Sequence, residues 1–133
     1  MEDREIEDLD LDDPLVLARE CVRILDEKKI NELVILEVGA STPIATHFVV
    51  GTGLNARHLK SGVDAIEQLL KQRGLPRRGI EGYHSGNWVL LDLGDVVVHL
   101  FLAASRKFYD LEFLWGDCPR VALGLGDRRH AAT

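Results

Sequence analysis

The sequence predicts a small α/β domain in which a mixed β-sheet is flanked by helices. Three observations carry that prediction. Residues 33–38 form a nearly continuous apolar run of strand length, the pattern of a strand covered on both faces. Two other segments, 14–29 and 56–70, repeat apolar residues at helical spacing. Residues 81–101 read as two strands joined by the turn Asp92-Leu93-Gly94-Asp95. With 133 residues, 46% of them hydrophobic, the chain suits one core-bearing domain, so no division is needed.

In chain order, residues 1–13 hold eight acids and one base, a net −7 against −6 for the whole chain, which leaves the remainder at +1. Residues 1–12 have too little apolar content to fold alone and are expected to form an acidic flexible tail. A near-neutral body offers no general electrostatic case for binding nucleic acid. The cluster Lys71, Arg73, Arg77 and Arg78 is read as a solvated helix end. Asp13-Pro14 is a cap followed by proline at the first helical position. It opens a helix over 14–29 that turns Leu17, Cys21, Ile24 and Leu25 inward and Arg19, Glu20, Arg23, Asp26 and Glu27 outward. The run 33–38 is predicted as a central strand, and 46–50 as a second strand ending at Gly51-Thr52-Gly53. A helix then starts at the cap Asn55, carries Leu59, Val63, Ile66 and Leu70 on one stripe, and stops at Gly74 and Pro76. A basic loop feeds the hairpin. Residues 105–115 are predicted as a short closing helix whose apolar face is Phe108, Leu111, Leu114 and Trp115, with Arg106, Asp110 and Glu112 on other faces. The domain is placed at 13–120, with 121–133 as a flexible tail.

The hairpin carries the most information, because either choice of its two loop residues sets even-numbered residues of the first strand against odd-numbered residues of the second. One face is Asn87, Val89, Leu91, Val96, Val98 and Leu100, a core face. The other is Trp88, Leu90, Asp92, Val97, His99 and Phe101. Two readings fit that second face equally: a partner-binding surface, or a lid of core under another helix with Asp92 closing the turn.

Chemical signals are sparse. Gly51-Thr52-Gly53 between strand and helix could present free amides to an anion, but its spacing matches no dinucleotide or phosphate-loop motif, and a tight strand-to-helix turn is preferred. Asp92 and Asp95 are read as turn formers in preference to cation ligands. The five histidines, His47, His58, His84, His99 and His130, show no paired ligand spacing and no cysteine cluster. Ser85 lacks a nucleophile elbow. No catalytic residue, metal or cofactor is therefore expected. Cys21 and Cys118 stand far apart in sequence and are read as reduced thiols. With no signal peptide, transit peptide or apolar membrane span in the sequence, the expected location is cytoplasmic and no membrane partner is expected.

With these residues in view the chain resembles the ribosomal silencing factor family, RsfS, also called Iojap. The resemblance rests on Phe48-Val49-Val50 leading into Gly51-Thr52, on Arg57-His58, on Glu81-Gly82 and on Gly86-Asn87-Trp88-Val89-Leu90-Leu91-Asp92. It continues through Gly94-Asp95-Val96-Val97-Val98-His99 to Arg106, Phe108-Tyr109-Asp110-Leu111-Glu112 and Leu114-Trp115, covering about residues 13–119. The chain departs from the family pattern at Thr46-His47 and at Gly53-Leu54-Asn55-Ala56. The resemblance implies a nucleotidyltransferase-related α/β fold that acts by binding. It implies docking on the large ribosomal subunit, against ribosomal protein fourteen of that subunit, and obstruction of small-subunit joining when nutrients are scarce. The partner-binding residues it implies are Trp88 and Leu90, with Asp92 and His99 beside them on the derived face; Tyr109 and Glu112 on the closing helix are the further candidates for the contact. The strand after the glycine turn lacks the paired carboxylates that two-cation nucleotidyl transfer needs. The alternatives are a small nucleotide-dependent enzyme using Gly51-Thr52-Gly53, and a homodimer that uses the Trp88 face as its own contact.

Overall fold

A computed structural model of the chain describes residues 9–125. Its elements in order are α1 (Pro14–Glu27), β1 (Asn31–Glu37), β2 (His47–Gly53), α2 (Ala56–Gln72), β3 (Gly79–Glu81), β4 (Trp88–Asp92), β5 (Val96–Leu102), α3 (Ala103–Tyr109), α4 (Leu111–Leu114) and β6 (Arg120–Val121). The strands form one sheet in the order β3-β4-β5-β2-β1-β6. Only β2 and β5 pair in parallel, so the sheet is mixed, as predicted. Both edge strands are very short.

Alternation along the strands divides the interior into two cores. Ile35, Val49, Val89, Leu91, Val98 and Leu100 face the two long helices, meeting Leu17, Cys21 and Leu25 of α1 and Leu59, Val63 and Ile66 of α2. Leu36, Phe48, Val50, Val97 and Phe101 face the other way, where Leu111 of α4 and Cys118 close a smaller core. The predicted hairpin faces are realised, with Trp88 opposite Phe101, Leu90 opposite His99 and Asp92 opposite Val97.

Local chemistry explains the helix ends. Asp13 Oδ1 accepts the Leu15 and Val16 amides at 2.9 and 3.4 Å, and Pro14 fills the first helical position. Helix α1 stops at Glu27, two residues before the predicted end, because Lys29 turns the chain at φ +65°. Glu20 was expected to face solvent; it is buried and ion-paired to Arg23, which also reaches Glu27 at 2.7 Å. Asn55 caps α2 through the His58 amide at 2.8 Å, and Gly74 ends its last turn at φ +66°.

Four expectations are corrected. Strand β2 does not end before Gly51 but runs through Gly53, paired with β5 along its length. Strand β1 is covered on both faces but has only the two-residue β6 on its outer side, so it is not central. The segment before the hairpin is not all loop: Gly79–Glu81 is a third strand paired with β4. Residues 105–115 are not one helix, because Asp110, at φ +42°, ends α3 and caps α4. The packed region is also wider than 13–120. Leu11 is buried, the Leu9 carbonyl accepts from Arg73 Nη2 at 2.7 Å, and beyond 120 the strand β6 leads to buried Leu125. The remaining parts of both expected tails, 1–8 and 126–133, lie outside the described residues.

Candidate partner-binding shelf

The second face of the hairpin becomes an aromatic assembly because a strand projects every other side chain to one side. The Trp88 indole stacks on Phe101 at 4.9 Å between ring centroids and meets the Tyr109 ring of α3 at 4.6 Å. Its N–H donates to His99 Nδ1 at 3.2 Å. An acceptor at Nδ1 puts the ring proton of His99 on Nε2, which has no hydrogen-bond partner among the described residues. His99 is only 5% exposed, with the edge of Phe48 at 4.7 Å. Burial pushes its pKa down from 6.5 to about 4, so the ring is neutral at physiological pH.

The outer half of the surface comes from α3 and α4. The left-handed turn at Asp110 breaks the helical phase, so the predicted common apolar face of 105–115 does not exist. Leu111 is buried and Trp115 half-buried against Phe48 at 5.2 Å, but Phe108, Phe113 and Leu114 are 82%, 81% and 69% exposed. Phe108 packs edge-on against Tyr109 at 5.1 Å, so Trp88, Tyr109 and Phe108 are linked ring to ring. Arg106, placed by the sequence off the apolar face of the closing helix, is buried beneath α3.

The residues named from sequence therefore separate by role. Trp88 and Leu90 are half-buried on the open side of the sheet, and Tyr109 lies over Trp88. His99 is not a surface neighbour; it lies under the indole and fixes its edge. Asp92 closes the turn, its Oδ1 accepting the Gly94 amide at 2.8 Å. Glu112 has both carboxylate oxygens engaged, by Arg106 Nε at 2.9 Å and by Arg120 Nη2 at 3.4 Å. Sequence reading assigned Phe108 and Leu114 to the interior and passed over Phe113. The available signal was Asp110, an aspartate able to cap a new helix, whose Oδ1 accepts the Phe113 amide at 3.2 Å.

The glycine segment has another purpose. A Cβ at Gly51 would lie 2.6 Å from Ile30 Cγ2, and one at Gly53 would lie 2.5 Å from Leu59 Cδ2, so these strand glycines make room for core side chains. The first turn of α2 is occupied from within: His58 Nδ1 accepts the Leu54 amide at 2.9 Å, and Nε2 donates to the Lys28 carbonyl at 2.7 Å. Among the described residues, no three His, Cys, Asp or Glu side chains gather in a way that could hold a metal ion. No helix among them is long and apolar enough to cross a membrane.

Comparison with known proteins gives this surface its context. Residues 12–133 match the family described as "Ribosomal silencing factor during starvation". The chain is 36% identical to ribosomal silencing factor RsfS of Halalkalibacterium halodurans over 80% of this chain and 92% of that protein. It is 32% identical to a mouse protein named "Mitochondrial assembly of ribosomal large subunit protein 1", over 71% of this chain and 42% of that one. A crystal structure of a Chromobacterium violaceum protein superposes with a TM-score of 0.69 at 35% identity, covering 87% of this chain and 88% of the other. Sequence matches that span the domain, and a solved structure with the same architecture, agree with the motif blocks that meet at the hairpin and α3: the chain belongs to the ribosomal silencing factor family.

Proposed function

We propose that this protein binds the large ribosomal subunit, chiefly through ribosomal protein fourteen of that subunit, and blocks association with the small subunit, repressing translation when nutrients are limited. The observation that supports this most directly is the open aromatic shelf. Trp88 and Tyr109 are in contact, Phe108 continues the row, and Phe113 and Leu114 stand exposed on the adjoining helix. Large apolar side chains grouped on one surface mark a place where water is to be displaced, and aromatic residues make the usual anchors of such contacts. The name of the mouse relative, which refers to assembly of the ribosomal large subunit, points the partner in the same direction. A domain seated on the face that the small subunit approaches would act by occupying space, with no chemical step. The rival reading as a nucleotide-dependent enzyme loses its geometric basis, since Gly51-Thr52-Gly53 is paired strand packed against Ile30 and Leu59.

The test is co-sedimentation with purified large subunits, followed by subunit joining on a sucrose gradient. Tyr109 is 43% exposed, so Tyr109→Ala should leave the fold intact while weakening pelleting. Loss of an interface anchor costs about 2 kcal/mol, roughly thirtyfold in affinity. Trp88→Ala should weaken binding at least as much, with some loss of stability from its stacking. Protein mass at the assay concentration separates subunit docking from self-association through the same shelf. If both variants pellet and inhibit joining like the parent, the ribosome contact lies on another surface.

A further inference from the structure

A docking surface serves a partner only if it keeps one shape, and the outer half of this one rides on helices of seven and four residues. Helices that short do not hold themselves together in water. They are secured by Arg106, which is buried on the inner side of α3. Its Nη1 donates to Thr52 Oγ1 of β2 at 2.9 Å and to the Glu32 carbonyl of β1, and its Nε donates to Glu112 Oε1 of α4 at 2.9 Å. Through Glu112 Oε2 the connection reaches Arg120 of β6. One guanidinium thus ties two short helices to three strands.

Backbone conformation singles out the same junction. Only three non-glycine described residues have positive φ, and two of them, Glu32 at +51° and Asp110 at +42°, bracket Arg106. Such conformations persist where surrounding structure holds them in place. Glu32 lies where the β1–β2 register shifts, between Asn31 and Val34, and its carbonyl is the one Arg106 meets. A buried ion pair is a poor way to gain stability, because desolvation offsets most of the attraction and a well-packed apolar group often does as well. What a planar, forked donor supplies is direction.

We propose that Arg106 is a positioning residue for the partner-binding shelf, holding α3 and α4 so that Phe108, Tyr109 and Phe113 face the partner, with Glu112 acting inward through it. This rests on the reading of the shelf as the large-subunit contact. Glu112 then contributes to binding without touching the ribosome. Arg106→Met, which roughly preserves volume, removes the fork, and Glu112→Leu removes the acceptor that joins it to α4. Arg106→Lys keeps the charge but cannot span three acceptors in one plane.

The experiment combines amide hydrogen exchange, near-ultraviolet circular dichroism and large-subunit pelleting on the full-length protein. In Arg106→Met, amides of 103–115 should exchange about tenfold or more faster while those of α1 and α2 hold, and the near-ultraviolet signal of the Trp88–Tyr109 pair should shrink well below the melting temperature. Pelleting should weaken roughly tenfold, because apparent affinity falls with the fraction of molecules in the competent arrangement. Arg106→Lys should not restore it. Leu69→Ala, a core change on α2, serves as the control: it should lower the melting temperature yet bind like the parent at temperatures where it is folded. If Arg106→Met does not fold, Glu112→Leu gives the same three readouts. Unchanged exchange and dichroism in the folded variants would overturn the proposal, as would Leu69→Ala losing binding to the same degree at equal residual stability. If the helices loosen while pelleting is unchanged, Tyr109→Ala decides what has failed. Weakened binding by Tyr109→Ala in that case overturns positioning alone; unweakened binding removes the docking surface and the positioning role with it.

Discussion

His99 makes the stability of this domain depend on pH in a way that can be worked out before measurement. The ring is only 5% exposed, packed among Phe48, Trp88 and Phe101, its Nδ1 accepts the indole N–H, and its Nε2 proton has no partner among the described residues. Burial lowers its pKa from 6.5 to about 4, so between those values the unfolded chain takes up a proton that the folded protein refuses. The unfolded state then binds more protons, and stability rises with pH. The His99 contribution is flat above the unfolded value, falls as the solution is acidified through 6.5, and levels off below about 4. One pKa unit corresponds to about 1.4 kcal/mol, so the full loss is about 3 kcal/mol, of which about 2 kcal/mol is gone by pH 5. Protonation also turns Nδ1 into a donor facing the Trp88 N–H, which separates the indole from its support. Urea unfolding of the parent and of His99→Phe at several pH values between 7.5 and 5 isolates this term, because other titrating groups are common to both proteins. The stability difference between the two should shift by about 2 kcal/mol over that range. A difference that stays constant within about 0.5 kcal/mol would show that His99 is not buried in its neutral form, and the reasoning would fail.

Three other outcomes follow from named contacts. Gly82→Ala should destabilise by about 3 kcal/mol or more, since Gly82 sits at φ +77° and an added Cβ would lie 2.0 Å from the Trp88 carbonyl oxygen. Gly74→Ala, at φ +66° with open space around it, should cost only about 1 kcal/mol; equal melting temperatures for the two variants would refute the steric argument. Deleting residues 1–12 removes buried Leu11 and the Leu9 carbonyl held by Arg73, so it should cost about 2 to 3 kcal/mol, and an unshifted thermal midpoint would contradict this. The Cys21 thiol is fully buried with its pKa raised to about 12, chiefly by desolvation, so mass-resolved labelling at pH 8 should modify it only as fast as the protein unfolds, and rapid labelling of the native protein would refute its burial.

Much of this architecture was legible in the sequence. Asp13-Pro14 and Asn55 announced both long helices because capping is local chemistry, and the hairpin faces followed from a period-two pattern that leaves no freedom once the turn is placed. What was not legible depends on contacts distant in sequence. Strand β3 offers three residues with one large apolar side chain, and it becomes a strand only because β4 is there to pair with it. Gly51 and Gly53 read as a turn because glycine usually breaks a strand; here Ile30, Leu33 and Leu59 need the space. The burial of Arg106 was not legible because arginine is usually exposed, and nothing local shows that Thr52, fifty-four positions earlier, and Glu32 would receive its hydrogens. The candidate site divides the same way. Trp88 and Leu90 followed from strand alternation, whereas the exposure of Phe108, Phe113 and Leu114 depended on one left-handed residue, Asp110.

The two faces of the sheet meet different demands, and their compositions follow. Beneath α1 and α2 the surface stays dry in every state, so aliphatic side chains suffice: Ile35, Val49, Val89, Leu91, Val98 and Leu100. On the proposed reading, the open part of the opposite face, where Trp88 and Tyr109 lie, is wet when the protein is free and dry when a partner covers it. A purely aliphatic patch would be sticky in the first state, and a charged one would have to shed its water in the second. Rings with one polar edge answer both conditions, and Trp88 and Tyr109 are of that kind. The indole N–H is already satisfied by His99, so burying Trp88 under a partner leaves no new donor unpaired. The histidine that performs this service must itself be neutral and buried. The pH sensitivity argued above and the readiness of the shelf for a partner are therefore two consequences of one hydrogen bond.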